Sequence, residues 1–235
     1  NNAGQEKEMR EMPGRIDGVL GAIAGDIIGS VYEWNRIKTE DFPLFSPNAF
    51  FTDDTVLTIA AADALLTDGD YARAYLQWGR EWPGADYGGR FRQWLTEEDP
   101  RPYESFGNGS AMRASPAAYA ADSLEEVLRI AKETAMPTHN HPQGVIGAQA
   151  VAGATFIARK AAPDGDEASC KGEIKDLLQK HCGYGMQRTV AEIRPSYAFD
   201  VTCQGSVPEA LTCFLEASCF EEAVSVAITG NPVKI

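Results

Sequence analysis

The segment 16–31 constrains the fold more than any other part of the chain. Ile16, Val19, Leu20, Ile23, Ile27 and Val31 recur at the helical period, while Gly18, Gly21, Gly25 and Gly29 interrupt the same run. Each glycine costs a helix about 1 kcal/mol relative to alanine. Such a helix persists only if tertiary packing holds it, and its glycines let neighbouring backbones come close. The pattern predicts a central helix over 15–34, with its glycines against neighbouring helices.

The rest of the chain follows the same period. A helix opening at Asp53 runs through Val56, Ile59, Ala60, Leu65 and Leu66 and stops before Gly69. Another spans 71–82 and is halted by Pro83 and Gly84. Ser123 and Glu126 form a capping box ahead of a helix to Ala135, and Pro137 follows it. Pro142 suits the first turn of a long helix to Ala161. Residues 97–110 and 163–170 read as loops. Ser206 with Glu209, and Ser218 with Glu221, predict two more helix starts, the last helix ending near Ile228. Period-2 runs of β-branched residues are short. The expectation is an all-α, single-domain chain without repeats, preceded by a polar, disordered lead-in over 1–14.

Composition limits the partners. A chain of 235 residues, 44% hydrophobic and 23% charged, buries a core without staples. A net charge of -13 argues against nucleic acid or an anionic membrane as the main partner. No apolar run approaches the roughly 18 residues of a membrane span. A small anion stays admissible, because a nest of N–H groups with one arginine holds a phosphate in an acidic protein. The five cysteines are odd in number and form no C-x-x-C pair, which fits reduced thiols in the cytoplasm.

Three groups of residues could carry chemistry. Asp26 and Glu33, seven apart, would share a helix face beside the apolar stripe. An acid at such an edge needs a helix N-terminus, an arginine or a metal; the plain reading is a capping aspartate and a solvated glutamate. Thr52, Asp53, Asp54 and Thr55 precede an apolar helix, where Thr and Asp cap and complement the dipole. The adjacent carboxylates and the hydroxyl are equally the hard oxygen donors that Mg²⁺ or Mn²⁺ takes. Gly107-Asn108-Gly109-Ser110-Ala111-Met112-Arg113 reads either as an anion nest with an arginine behind it or as a turn and cap. Thr138-His139-Asn140-His141 is a cap region whose two imidazoles are too few for zinc.

In this order, the motif from Gly21 through Asp26 to Glu33, then Phe51-Thr52-Asp53-Asp54-Thr55, the loop 107–113 and Thr138-His139 resemble the ADP-ribosylglycohydrolase family. The resemblance runs from about Arg15 to Ile228, and Tyr197 to Leu211 looks like the later part of bacterial members. It implies an orthogonal all-α bundle over 15–235 and a two-metal Mg²⁺ or Mn²⁺ site. It implies hydrolysis of the bond joining ADP-ribose to a protein side chain or small acceptor. By resemblance Thr52, Asp53 and Asp54 would ligate metal, with both aspartates and Glu33 as the catalytic set. Asn108, Gly109, Ser110 and Met112 match the loop around the distal ribose and diphosphate, Arg113 accompanies them, and His139 matches a cleft histidine. Family members continue with an Asp-x-Asp-Thr stretch that completes the metal site, whereas here Thr229 to Ile235 close the chain. The expectation is therefore a C-terminally truncated member with weakened hydrolysis, or alternatively an ADP-ribose binder that has lost catalysis.

Overall fold

The computed structural model describes residues 17–35, 37–39, 41–161 and 165–230. The expected lead-in over 1–14, Ile16, residues 162–164 and the closing residues 231–235 lie outside the described residues. Among the described residues the chain is helical, and its one β-type pairing is an isolated antiparallel bridge between Gly107 and Thr202.

Helix α1 (Asp17–Ser30) leads to α2 (Asp53–Leu66), α3 (Tyr71–Glu81) and α4 (Gly89–Thr96). Two 3₁₀ turns follow, Asn108–Ser110 and Ser115–Tyr119. Then come α5 (Leu124–Ala135), α6 (Pro142–Ala161), α7 (Glu167–Lys180), the short α8 (Val190–Ile193), α9 (Cys203–Glu216) and α10 (Phe220–Gly230). Caps set most starts. The side chains of Thr52, Asp70, Ser123, Asp166, Thr189 and Thr202 each accept a backbone N–H of the first turn.

The centre is α6, not α1. Helix α6 packs on α5, α7, α9 and both 3₁₀ turns. Its Ala148, Ala150, Ala152, Ala154, Phe156 and Ile157 join Val127, Ala131, Ile174, Leu178 and Val207 in one buried cluster. Small side chains on α6 let its neighbours come near. An added Cβ at Gly147 would lie 2.3 Å from the Cys203 sulfur, and one at Gly153 would lie 2.6 Å from Leu177. A second cluster joins α2, α3 and α4 through Leu57, Ala61, Tyr75, Phe91 and Trp94.

Helix α1 departs from its expected role. It packs on α2, α10 and the second 3₁₀ turn, Leu20 is 53% exposed, and Ile28 and Ser30 are buried. Among the described residues a Cβ at Gly25 or Gly29 would meet nothing within 4 Å, while one at Gly21 would lie 3.9 Å from the Phe220 ring. Periodicity records which residues are apolar but not which neighbours cover them, so it could not tell α1 from α6. Helix α1 also ends earlier than expected. The Ser30 hydroxyl turns back to the Ile27 carbonyl at 2.8 Å, and the Tyr32 ring leaves the helix to pack edge-on against Phe42. Glu33 therefore sits in the turn after α1 and does not share a helix face with Asp26.

Two helices were not foreseen: α4, which lies just ahead of the expected loop 97–110, and α7, which opens at Glu167 inside the expected loop 163–170. Two starts also shift. Helix α9 begins at Cys203 because Thr202 caps it, so Ser206 falls inside the first turns and Pro208 follows within the helix. At α10 the Ser218 hydroxyl and N–H both donate to Glu222, one residue beyond the expected partner.

Candidate functional site

The N-terminus of α2 is built around Asp26. Its Oδ1 accepts the Thr52 hydroxyl at 2.6 Å. Its Oδ2 accepts the Thr52 N–H at 2.7 Å, the Thr55 N–H at 3.2 Å and the Thr55 hydroxyl at 2.6 Å. One carboxylate thus ties α1 to the positive end of α2, where helix N–H groups lack intrahelical partners. The capping function considered for Asp26 is the one it performs, and it acts on a neighbouring helix.

With Asp26 and Thr52 occupying the cap, Asp53 and Asp54 are not needed for it. Both are nonetheless buried. Asp53 lies near Tyr87, whose phenol is pushed up to about 12, first by burial and then by that carboxylate. Two adjacent buried carboxylates are costly without a compensating cation or hydrogen bonds. Thr52 Oγ1, Asp53 and Asp54 are hard oxygen donors of the kind Mg²⁺ binds while keeping several waters. No group of three or more His, Cys, Asp or Glu suited to a metal occurs among the described residues. The donors gathered here are thus two carboxylates and one hydroxyl, short of a complete set for a divalent ion.

The loop 107–113 forms the second half. It is fixed from behind by the start of α9. The Asn108 N–H donates to Val201 O at 2.8 Å, the Cys203 N–H to Phe106 O at 2.9 Å, and the Asn108 amide to Ser206 Oγ at 3.3 Å. The Cys203 thiol donates to Gly107 O at 3.1 Å; burial pushes it up to about 11, so it keeps its proton. Ser110, a ligand residue by resemblance, is fully buried and donates to Gly144 O at 2.7 Å. Met112 is buried in the second core cluster. Neither Cys203 nor Thr58 is marked by a local pattern in the sequence.

His139 packs against this loop. A Cβ at Gly109 would lie 3.2 Å from His139 Nε2, and one at Gly144 would lie 2.9 Å from His139 Cβ. Glycine at these two positions lets loop, imidazole and α6 meet. Burial, then Arg113 and Arg90, hold the His139 pKa well below the usual range, so the ring is neutral. Arg113 is wholly buried, stacked on the Tyr75 ring at 4.0 Å, with Nη2 donating to Thr138 Oγ1 at 2.7 Å. It braces the site from inside.

One helix joins the two halves. Asp53 and Asp54 open α2, and Thr58, on the next turn, donates to Met112 O at 3.2 Å. Glu33 follows α1 by three residues, and the Ser30 hydroxyl there accepts the Phe50 N–H at 3.1 Å, keeping the turn beside the segment that leads to Thr52.

The model of the family described as ADP-ribosylglycohydrolase matches residues 14–231. ADP-ribosylhydrolase ARH3 of Mus musculus is 28% identical over 170 residues, covering 57% of this chain and 46% of the relative. Its Homo sapiens counterpart is 26% identical over 200 residues, covering 70% of this chain and 54% of the relative. The chain spans about half the length of these curated relatives. A solved structure described as an ADP-ribosylglycohydrolase-related protein complex matches with a TM-score of 0.69 over 94% of this chain and 82% of that one. At 22% identity that likeness shows the fold.

Proposed function

The chain belongs to the ADP-ribosylglycohydrolase family, and we propose that it hydrolyses the glycosidic bond between ADP-ribose and a protein side chain or small acceptor. The observation that carries this reading is the geometry of α2, which bears the buried Asp53–Asp54 pair at its first turn and holds the glycine loop through Thr58 on the next. From Asp54 to Thr58 is about 6 Å of helix rise, a span over which one ligand reaches both halves.

Each part of the chain has a task. The Gly109 N–H is the backbone donor of the loop 107–113 toward the diphosphate and distal ribose, because Val201 O already occupies the Asn108 N–H. The neutral His139 presents a donor beside them. Glu33 stands beside the scissile bond, where an oxocarbenium-like transition state needs a positioned water and an acid or base. Thr52, Asp53 and Asp54 would hold Mg²⁺ or Mn²⁺, which when bound orients ribose hydroxyls and lowers the pKa of a water. Asp26 keeps Thr52 and the first turn in place for that purpose. ADP-ribosylated protein or a small ADP-ribose conjugate is the partner, and neither nucleic acid nor a membrane is required. Five free thiols fit the reducing cytoplasm. Among the described residues no helix is long and apolar enough to cross a membrane.

The small donor set favours a second reading, an ADP-ribose binder with weak or absent hydrolysis. Calorimetry with Mg²⁺ or Mn²⁺, combined with release of ADP-ribose from a modified peptide, separates the two. We expect weak ion binding and slow release by these 235 residues. A fused C-terminal segment carrying Asp-x-Asp-Thr should increase both, and Asp54→Asn should abolish the gain. ADP-ribose binding without release, even in the fused protein, would establish the binder instead. Failure of both chains to bind ADP-ribose would defeat both readings.

A further inference from the structure

We propose that Thr138, oriented by Arg113, sets the tautomer of His139, so that its proton resides on Nε2 against the Gly107–Gly109 loop. This rests on the reading of that loop as a ligand subsite and adds the residues that make His139 a fixed donor within it.

Donors and acceptors around the Thr138 hydroxyl fix where its proton lies. The Arg113 guanidinium donates only. At 2.7 Å its Nη2 occupies one lone pair of Thr138 Oγ1. The same oxygen lies 2.7 Å from His139 Nδ1, and Thr138 is fully buried. Among the described residues that hydroxyl has no other acceptor, so its single proton goes to Nδ1. Were Nδ1 protonated instead, the Thr138 hydroxyl would be a buried donor with nowhere to donate. A neutral ring accepting at Nδ1 carries its proton on Nε2.

The surroundings oppose the imidazolium. Arg113 lies on one side through Thr138. Tyr103 faces the ring at 6.2 Å between centroids and carries Arg90 over its own face at 4.7 Å. Nothing acidic is found among the groups that shift His139. Nε2 lies near the positions a Cβ would take at Gly109 and Gly107, at 3.2 and 3.7 Å, so a fixed N–H there meets an acceptor oxygen of whatever occupies the loop. Arg113 and Thr138 are positioning residues, because they act through His139.

The test is nitrogen NMR of the full chain labelled at its three histidines, with the His139 signals assigned by their loss in His139→Gln. The wild-type ring should show an unprotonated Nδ1 and a protonated Nε2, unchanged between about pH 5 and 8. Thr138→Ser should retain that pattern, and Thr138→Val should lose it. ADP-ribose affinity by calorimetry should fall about fivefold in the valine variant and recover in the serine variant, the loss expected for one mispointed hydrogen bond. A protonated Nδ1 or an imidazolium in the wild type overturns the proposal, and so does a valine variant with unchanged spectrum and affinity. If valine prevents folding, the wild-type and serine spectra still decide the tautomer. Absence of ADP-ribose binding by the wild type, with the expected tautomer present, counts against the ligand reading and not against the relay.

Discussion

Asp26 carries the densest set of hydrogen bonds around the site, and two predictions belong at the scale of single residues. Its carboxylate accepts four donors from Thr52 and Thr55 at a helix N-terminus. Charge-assisted hydrogen bonds contribute about 1.5–3 kcal/mol each but do not add, and the dipole adds a fraction. Asp26→Ala should therefore destabilise the chain by about 2–4 kcal/mol, read as a lower urea midpoint at unchanged slope. Asp26→Asn should fall between the two, since one oxygen remains an acceptor. The second prediction concerns pH. In the unfolded chain His139 takes a proton near pH 6.5, while in the folded chain its pKa is held well below that by burial, Arg113 and Arg90. Below about pH 6.5 the unfolded state thus binds one more proton, and stability falls as pH falls. The slope from this group approaches about 1.4 kcal/mol per pH unit until the folded pKa is reached. Denaturant melts at pH 5.5 and 7 should show the loss in the wild type and a smaller one in His139→Gln. The sequence disclosed that Asp26 needed a partner and that a helix end could be one. It did not disclose that the partner was the next helix, because a bond between Asp26 and Thr55 depends on the crossing of α1 and α2.

At the scale of elements, small residues separate helices that must touch from helices that need not. Gly147 on α6 faces Cys203 on α9, where an added Cβ would lie 2.3 Å from the sulfur and 2.8 Å from its Cβ. Gly147→Ala should cost about 1–3 kcal/mol through overpacking, despite the gain in helix propensity. Cys203→Gly should relieve the clash, and a double-mutant cycle should give a coupling of at least about 1 kcal/mol. Gly25→Ala on α1 should do the opposite and stabilise by about 0.5–1 kcal/mol, because its Cβ meets nothing within 4 Å among the described residues. Equal effects at the two positions in thermal or urea melts would contradict this packing. The contrast also shows what the sequence could convey. Caps at Thr52, Ser123 and the Pro142 turn were readable because they are local chemistry. Helix α7 carried a signal too, with Ile174, Leu177 and Leu178 at helical spacing and Asp166 as cap, but its polar opening concealed it. Helix α4 has eight residues, too short for a period to declare itself, and it is held by burial of Phe91, Trp94 and Leu95. Which glycine helix lies at the centre is a tertiary fact, and both runs look alike along the chain.

At the scale of the whole molecule, this acidic protein keeps one arginine, Arg113, in its interior. The net charge is -13, yet the charged groups that act on His139 are the buried Arg113 and the exposed Arg90. The helical class and the order of the motifs were legible, because the period and the residue types are written in the chain. The gathering of loop 107–113, Thr138 and Cys203 around α6 was not, since contacts between residues 93 and 96 positions apart in sequence leave no local trace. This charge arrangement leads to the last prediction, which rests on the ADP-ribose reading. Attraction between a diphosphate and groups a few ångströms away is little affected by salt. Repulsion from carboxylates spread over the surface acts across tens of ångströms and is screened once the Debye length falls from about 30 Å at 0.01 M to about 8 Å at 0.15 M. ADP-ribose affinity should therefore rise a few-fold over that range, opposite in sign to ligands drawn by a basic surface, whose binding weakens with salt. Titration calorimetry at the two ionic strengths, with a non-coordinating salt, measures the sign directly. Affinity that falls with salt would mean that exposed cations, Arg90 among them, and not the loop backbone with His139, dominate recognition of the diphosphate.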